Sequence, residues 1–230
     1  MPLILNIETA TNVCSVSLAK DKEIIANKIS YDEKSHSELL TVFIEQIVKE
    51  QKISLKDLDA VSVSKGPGSY TGLRIGVSSA KGIAYGIDKP LIAISTLQTM
   101  VYQVLSEHKI EDKNTILCPM IDARRMEVYN AFYNLEGEQV REIKAEIIDE
   151  NSYKDILENQ KIIFFGDGSD KCKNIITHEN ASFIEKITPL SNYMIDLSLK
   201  SFEKQKFEDV AYFEPFYLKN FIATKSKKMF

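Results

Sequence analysis

The stretch KGPGSYTGLRIGVSSAKGIAYG, Lys65 to Gly86, reads as a glycine-rich turn feeding a helix. Gly66, Gly68 and Gly72 surround Pro67, Ser69 and Thr71. Glycine allows positive φ and close backbone approach, and proline fixes a turn. Ser69 or Thr71 is placed to cap the helix that follows, predicted over 71–85. A helix N-terminus can also hold an anion. The phosphate loop of nucleotide hydrolases, however, needs Lys and then Ser or Thr after its last glycine, and here Gly72 is followed by Leu73-Arg74. From the glycines alone the reading is a capped strand-to-helix turn.

Working outward, the short strand Ala60–Ser64 precedes the turn, and Pro90–Ser95 is a strand after the helix. Upstream, Leu3–Glu8 is an apolar run suited to a buried strand. Val13–Lys20 and Glu23–Ile29 form a hairpin about Asp21-Lys22. From His36 to Gln51 the apolar residues Leu39, Leu40, Phe43, Ile44, Ile47 and Val48 recur at helical spacing. Thr96–His108 is a third helix. The second half repeats this order. Thr115–Asp122, Glu127–Leu135 and Glu142–Ile148 are strands, Asn151–Glu158 a short helix and Lys161–Phe165 a strand ending in Gly166-Asp167-Gly168. Asp170–Ile176 reads as helix, Ala181–Glu185 as strand and Ser191–Lys204 as helix, with irregular chain from Tyr212.

Each half thus predicts a mixed sheet: three leading antiparallel strands, then crossover strands separated by helices. Two such α/β units side by side are the plan of the actin/Hsp70/sugar-kinase superfamily, of ribonuclease H-like topology. No residue-level repeat accompanies the repeated order. The crossing is expected between Ser95 and Thr115, with units of residues 1–100 and 101–230.

The 230 residues suffice for two small cores, and the 44% hydrophobic and 27% charged content is ordinary for a globular chain. A net charge of −4 argues against this chain being the main holder of a phosphate backbone. Cys14, Cys118 and Cys172 are odd in number and far apart, with no CxxC pair, which argues against a disulfide framework or structural zinc. The start MPLILNIETA has no basic n-region, and no run approaches a membrane span, so a cytoplasmic, membrane-free setting is expected. The basic end, with Lys219, Lys225, Lys227 and Lys228, reads as a solvated tail, with contact to a nucleic-acid phosphate as the alternative.

Taken whole, the glycine segment closely resembles the GPGSFTGLRIG signature of the TsaB (YeaZ) family of tRNA threonylcarbamoyladenosine (t6A) biosynthesis proteins. ILNIETATNVCSVSL (Ile4–Leu18), HSELL (His36–Leu40), MIDARRMEVYNAFY (Met120–Tyr133) and FEPFYLK (Phe213–Lys219) resemble other parts of that family, so the likeness touches nearly the full length. Tyr70 stands where Phe is usual, and Met126 where Gly is common. The resemblance implies a required but non-catalytic subunit. Such proteins pair with a larger homologue, TsaD, which transfers threonylcarbamoyl to adenosine 37 of tRNAs reading ANN codons. A small ATPase, TsaE, joins the assembly, and tRNA is met only through the complex. It also implies docking through the two N-terminal helices, which places Leu39, Leu40, Phe43, Ile47, Thr71, Arg74, Ile75, Ser78, Ser79 and Gly82 at the contact. A homodimer through the same helices is expected when the chain is alone.

The residues bear on catalysis directly. Where catalytic relatives carry two metal-binding His, this chain has Thr96 and Met100, poor ligands for a hard or borderline cation. His36, His108 and His178 have no metal spacing, and His36 reads as a surface or capping residue. The first turns, Glu8-Thr9-Ala10-Thr11 and Asp122-Ala123-Arg124, lack the glycine of the D-x-G loops that hold nucleotide phosphates. No cofactor is expected. Glu8 and Asp122 end equivalent strands and could face one cleft for acid–base work, though such carboxylates more often cap turns or meet Arg. The alternatives are a metalloprotease-like or phosphotransferase enzyme of the same superfamily, or a free-standing regulator.

Overall fold

A computed structural model describes residues 1–32 and 36–219. Its strands are β1 (Leu3–Glu8), β2 (Cys14–Lys20), β3 (Glu23–Ser30), β4 (Ala60–Gly66), β5 (Leu91–Ser95), β6 (Ile116–Asp122), β7 (Glu127–Tyr133), β8 (Gln139–Ile147), β9 (Ile162–Phe165) and β10 (Ala181–Ile184). The helices are α1 (His36–Glu50), α2 (Tyr70–Ile87), α3 (Thr96–Glu107), α4 (Lys154–Leu157) and α5 (Ile195–Glu203).

The strands form two sheets of one topology. The first runs β3-β2-β1-β4-β5 and the second, read from the other edge, β8-β7-β6-β9-β10. In each, the hairpin strands pair antiparallel and the later strands pair parallel. This is the actin/Hsp70/sugar-kinase-like, ribonuclease H-like plan, written twice.

β1 is apolar on both faces because both faces are covered. Leu5 and Ile7 point into a core shared with Leu40, Ile44 and Ile47 of α1 and Val77 and Ala80 of α2. Ile4 points the other way, towards Met194 and Leu197. The second sheet repeats the arrangement, with α3 supplying Leu97, Met100, Val101 and Val104 to one face. Its other face gathers Cys118, Phe164 and Cys172 around Leu157 of α4.

The later helices depart from the sequence reading. The helix expected over 151–158 shrinks to α4, because Tyr153 enters it at φ 66°, outside helical space. The helix expected over 170–176 is a 3-10 turn, Asp170–Cys172. Ser191–Lys204 divides into a 3-10 turn, Ser191–Met194, and α5. In sequence order α5 is the last helix of the second half, yet it packs on β1 and β5 of the first sheet. The connection is tied to both halves: the Ser191 amide donates to Ser15 Oγ at 2.9 Å and the Thr188 amide to Gln103 Oε1 at 3.2 Å.

The two halves share one short correspondence in residues, at the turns that follow equivalent strands. Gly66-Pro67-Gly68-Ser69 closes β4, and Gly166-Asp167-Gly168-Ser169 closes the equivalent β9. Gly66 and Gly166 sit at φ 107° and 97°, where a side chain would be strained.

Candidate partner interface and cleft

The β4–α2 turn is shaped by packing against the β1–β2 turn. A Cβ on Gly68 would lie 2.2 Å from Ala10 O, one on Gly72 2.1 Å from Thr9 O, and one on Gly76 2.2 Å from Thr9 Oγ1. The Ser69 amide donates to Ala10 O at 2.6 Å, and Thr9 Oγ1 donates to Gly72 O at 2.8 Å. Ser69 is the residue that caps α2, accepting from the Gly72 amide at 3.3 Å. Gly76 and Ala80, small residues that would also suit close helix approach, therefore face inward, towards Thr9 and the core.

The residues expected at the docking surface divide into three groups. Leu40 and Ile47 are buried under α1, 1% and 0% exposed, so they are core and not contact residues. Their spacing, with Ile44 between them, makes the stripe that α1 lays on β2. Leu39, Phe43, Ile75 and Ser79 are half-buried, and Phe43 and Ile75 pack against that same core. Thr71, Arg74, Ser78 and Gly82 are exposed and form one line along α2. Nothing lies within 4 Å of a Cβ placed on Gly82. Tyr85, 82% exposed, continues this line, and Val42 is exposed on α1. The sequence reading missed both, although Tyr85 follows Gly82 by three residues and so shares its face.

The chain from Ala211, read from the sequence as irregular from Tyr212, lies along α2. Lys81 Nζ donates to Ala211 O at 3.2 Å and Phe213 O at 2.8 Å. Tyr217 packs against Tyr70 with ring centroids 5.1 Å apart and accepts from Arg74 Nε at 3.4 Å. The Arg74 guanidinium lies 4.3 Å from the Tyr70 ring centroid. Lys219 forms an ion pair with Glu127 on β7. Lys225, Lys227 and Lys228 lie outside the described residues.

Between the halves is a cleft of about 540 Å³, lined by the turns after β1, β4, β6 and β9 and by residues 216–219. Asp122 is at its wall, but Glu8 is not, so the two carboxylates do not face one site. Glu8 is wholly buried, accepting from the Ala10 amide at 2.6 Å and from Ser64 Oγ at 2.7 Å. Burial pushes its pKa up to about 7, against the pull of those hydrogen bonds. Asp122 caps its own turn, accepting from the Arg124 amide at 2.9 Å, and pairs with Lys171 and not with an Arg. Burial also raises the Asp167 carboxyl, which accepts from the Asp122 amide at 3.1 Å.

His36 is buried and not on the surface: its Nε2 lies 2.9 Å from Thr11 O and pins α1 to the β1–β2 turn. Thr96 and Met100 are both fully buried in α3. Among the described residues no helix is long and apolar enough to cross a membrane.

The family model for TsaD, tRNA N6-adenosine threonylcarbamoyltransferase, matches residues 23–229. The tRNA threonylcarbamoyladenosine biosynthesis protein TsaB of Escherichia coli is 30% identical over 96% of this chain and 96% of its own. The protein of that name from Buchnera aphidicola subsp. Baizongia pistaciae is 33% identical over 94% of this chain and 97% of its own. The solved structure of YeaZ from Pseudomonas aeruginosa superposes with a TM-score of 0.80 at 22% identity, covering 95% of this chain and 100% of that one. With the glycine turn, the doubled sheet and these full-length matches in agreement, this chain belongs to the family that the TsaD model describes and, within it, to the TsaB (YeaZ) family of tRNA threonylcarbamoyladenosine biosynthesis proteins.

Proposed function

We propose that this chain is the non-catalytic subunit of a t6A-forming complex, docking onto a larger TsaD-like transferase through the outer line of α2. The observation that carries the reading is that line: Thr71, Arg74, Ser78 and Gly82 are exposed, with open space over Gly82. Small side chains let a second helix approach closely, while Arg74 and Tyr85 supply a charge and an aromatic anchor of the kinds enriched at contact centres. Leu39, Phe43, Ile75 and Ser79 sit at its rim, on the unit of residues 1–100, against which α5 and residues 208–217 also pack.

In this reading the TsaE-like ATPase joins the pair, and tRNA with its adenosine 37 is held by the complex. Alone, the chain pairs with a second copy through the same line, in the cytoplasm and without a cofactor. An independent metalloprotease or phosphotransferase is disfavoured because Thr96 and Met100, at the ligand positions, are built into the core and not turned to the cleft. Stoichiometric metal in the purified chain, or ATP turnover by it alone, would speak for that rival.

The test is threonylcarbamoyl transfer to tRNA by the larger homologue, with and without this chain, in wild-type and Gly82→Leu forms. Transfer should depend on the wild-type chain, and the folded variant should bind the larger homologue about tenfold more weakly or worse and support transfer correspondingly less. Full support by Gly82→Leu would remove α2 from the contact.

A further inference from the structure

We infer that residues 208–219 are a strap that couples the outer face of α2 to the cleft between the two sheets. The partner half of this inference rests on the docking surface proposed above; the strap and the cleft do not.

The segment is anchored at every stage of its path. It leaves the edge of β5, where the Glu208 amide donates to Leu91 O at 2.9 Å. Asp209 turns it, accepting from the Ala211 and Tyr212 amides at 2.8 and 3.2 Å. It then runs along α2 from the C-terminal end towards the N-terminal end. Lys81 holds two of its carbonyls there, while Val210 and Phe213 rest on the first core. At the start of α2 the Phe216 amide donates to Lys65 O at 2.7 Å, and Tyr217 settles against Tyr70 and Arg74. Beyond that point the strap enters the cleft and crosses it, ending in the Lys219–Glu127 ion pair on the second sheet.

Two consequences follow from this path. Arg74 belongs both to the exposed line of α2 and to the grip on Tyr217, so whatever seats on Arg74 also touches the strap. The strap joins the two walls of the cleft by way of Glu127, which directly precedes Val128 in the strand pairing with Asp122. A partner that favours the seated strap thereby favours the bridged cleft, and the coupling is reciprocal. The Lys81, Arg74 and Lys219 anchors are charge-assisted but near the surface, and the others are single backbone bonds or ring contacts, so each is weak enough to release.

The experiment is amide hydrogen exchange on the full chain, read in peptides covering 122–128 and 211–219. In the free chain, Lys81→Ala should raise exchange several-fold in both peptides, with circular dichroism unchanged. Lys219→Ala should raise it in 122–128 while 211–217 stays protected. Lys81→Arg, which keeps a donor cation, should return both peptides towards wild type. Adding the larger homologue to wild-type chain should lower exchange in both peptides together. The inference is overturned if Lys81→Ala loosens 211–219 and leaves 122–128 as it was, or changes neither. It is overturned equally if a complex that survives gel filtration leaves both peptides unaltered. Should the larger homologue not bind at all, the docking proposal fails, and the free-chain variants still decide the link between strap and cleft.

Discussion

In the first half of the molecule β4 ends in Gly66-Pro67-Gly68-Ser69 and runs directly into the 18-residue α2. In the second half β9 ends in Gly166-Asp167-Gly168-Ser169 and runs into a 3-10 turn of three residues. The turns do the same work: Gly68 lets the chain rest on the β1–β2 turn, and Gly168 lets it rest on the end of β6. Only the helices differ. After Ser69 come glycines and small residues at positions where an amphipathic helix can lie against Thr9. After Ser169 and the short turn Asp170–Cys172 come Lys173 and then Asn174-Ile175-Ile176-Thr177, polar and β-branched, with low helix propensity. The shared part of the two halves is therefore sheet and turn, and the long outer helix is the part the second half lacks. The exposed line of Thr71, Arg74, Ser78 and Gly82 therefore has no counterpart after β9.

The sharpest way to break the comparison is to add one methyl group at each equivalent glycine. At Gly68 the new Cβ would meet Ala10 O at 2.2 Å, and at Gly168 it would meet Ile121 C at 2.8 Å. Both neighbours are backbone and yield only by moving a turn. Gly68→Ala should cost on the order of 4 kcal/mol or more, or prevent folding. Gly168→Ala should cost about 1–3 kcal/mol, the range for overpacking that can partly relax. Urea unfolding of both variants measures the difference. Equal costs would mean that the two turns bear on their neighbours alike, and that the tighter fit of the first has no consequence.

Equivalent strand ends offer a second contrast. β1 ends in Glu8, wholly buried, and β6 ends in Asp122, exposed beside Lys171. The folded Glu8 carboxyl titrates at about 7 against an ordinary 4.5, so between those values the folded chain holds a proton that the unfolded chain has lost. Its contribution is then complete below pH 4.5 and is lost as pH rises to about 7. At about 1.4 kcal/mol per pH unit across that interval the loss is about 3 kcal/mol. Glu8→Gln should abolish this dependence, leaving a flatter curve of unfolding free energy between pH 4 and 8, whereas Asp122→Asn should leave it in place. A wild-type curve as flat as that of Glu8→Gln would mean that Glu8 is ionised without penalty.

What the sequence made legible follows the same division. The strands of both sheets were readable because apolar runs and tight turns fix them locally, down to the Asp21-Lys22 hairpin. The doubled topology was readable from element order. The α4 and 3-10 segments were overread, because a helical spacing of apolar residues does not reveal that Tyr153 takes a positive φ. The placement of α5 on the first sheet was hidden, since nothing local tells a helix which of two apolar faces it will cover. At the candidate interface, Arg74, Ser78 and Gly82 are exposed on one face of α2, where helical spacing alone puts them together. Leu40 and Ile47 were misplaced because the stripe that packs on β2 and the stripe beside it differ by only one residue in sequence. The path of residues 208–217 along α2 was hidden behind an irregular reading, because its anchors are carbonyls and single aromatic contacts that leave no periodic mark.

The smallest expected change in stability belongs to the outer face of α2, and it carries the most functional information. Gly82 is in the middle of an 18-residue helix, with open space where its side chain would be. A helix-interior glycine costs about 0.8–1 kcal/mol relative to alanine, so Gly82→Ala should stabilise the isolated chain by about that much. On the inward side the same substitution at Gly76 meets Thr9 Oγ1 at 2.2 Å and should destabilise instead. Stability alone would therefore favour alanine at 82. A glycine there makes physical sense if another backbone comes close to it, and a larger side chain should hold that backbone away. Gly82→Leu is expected to melt no lower than wild type while binding the larger homologue about tenfold more weakly or worse, a loss of about 1.4 kcal/mol or more. Thermal melts and titration calorimetry on the same samples read the two quantities separately. If Gly82→Leu binds as wild type does, no helix approaches α2 at this point, and the open space over Gly82 is ordinary surface.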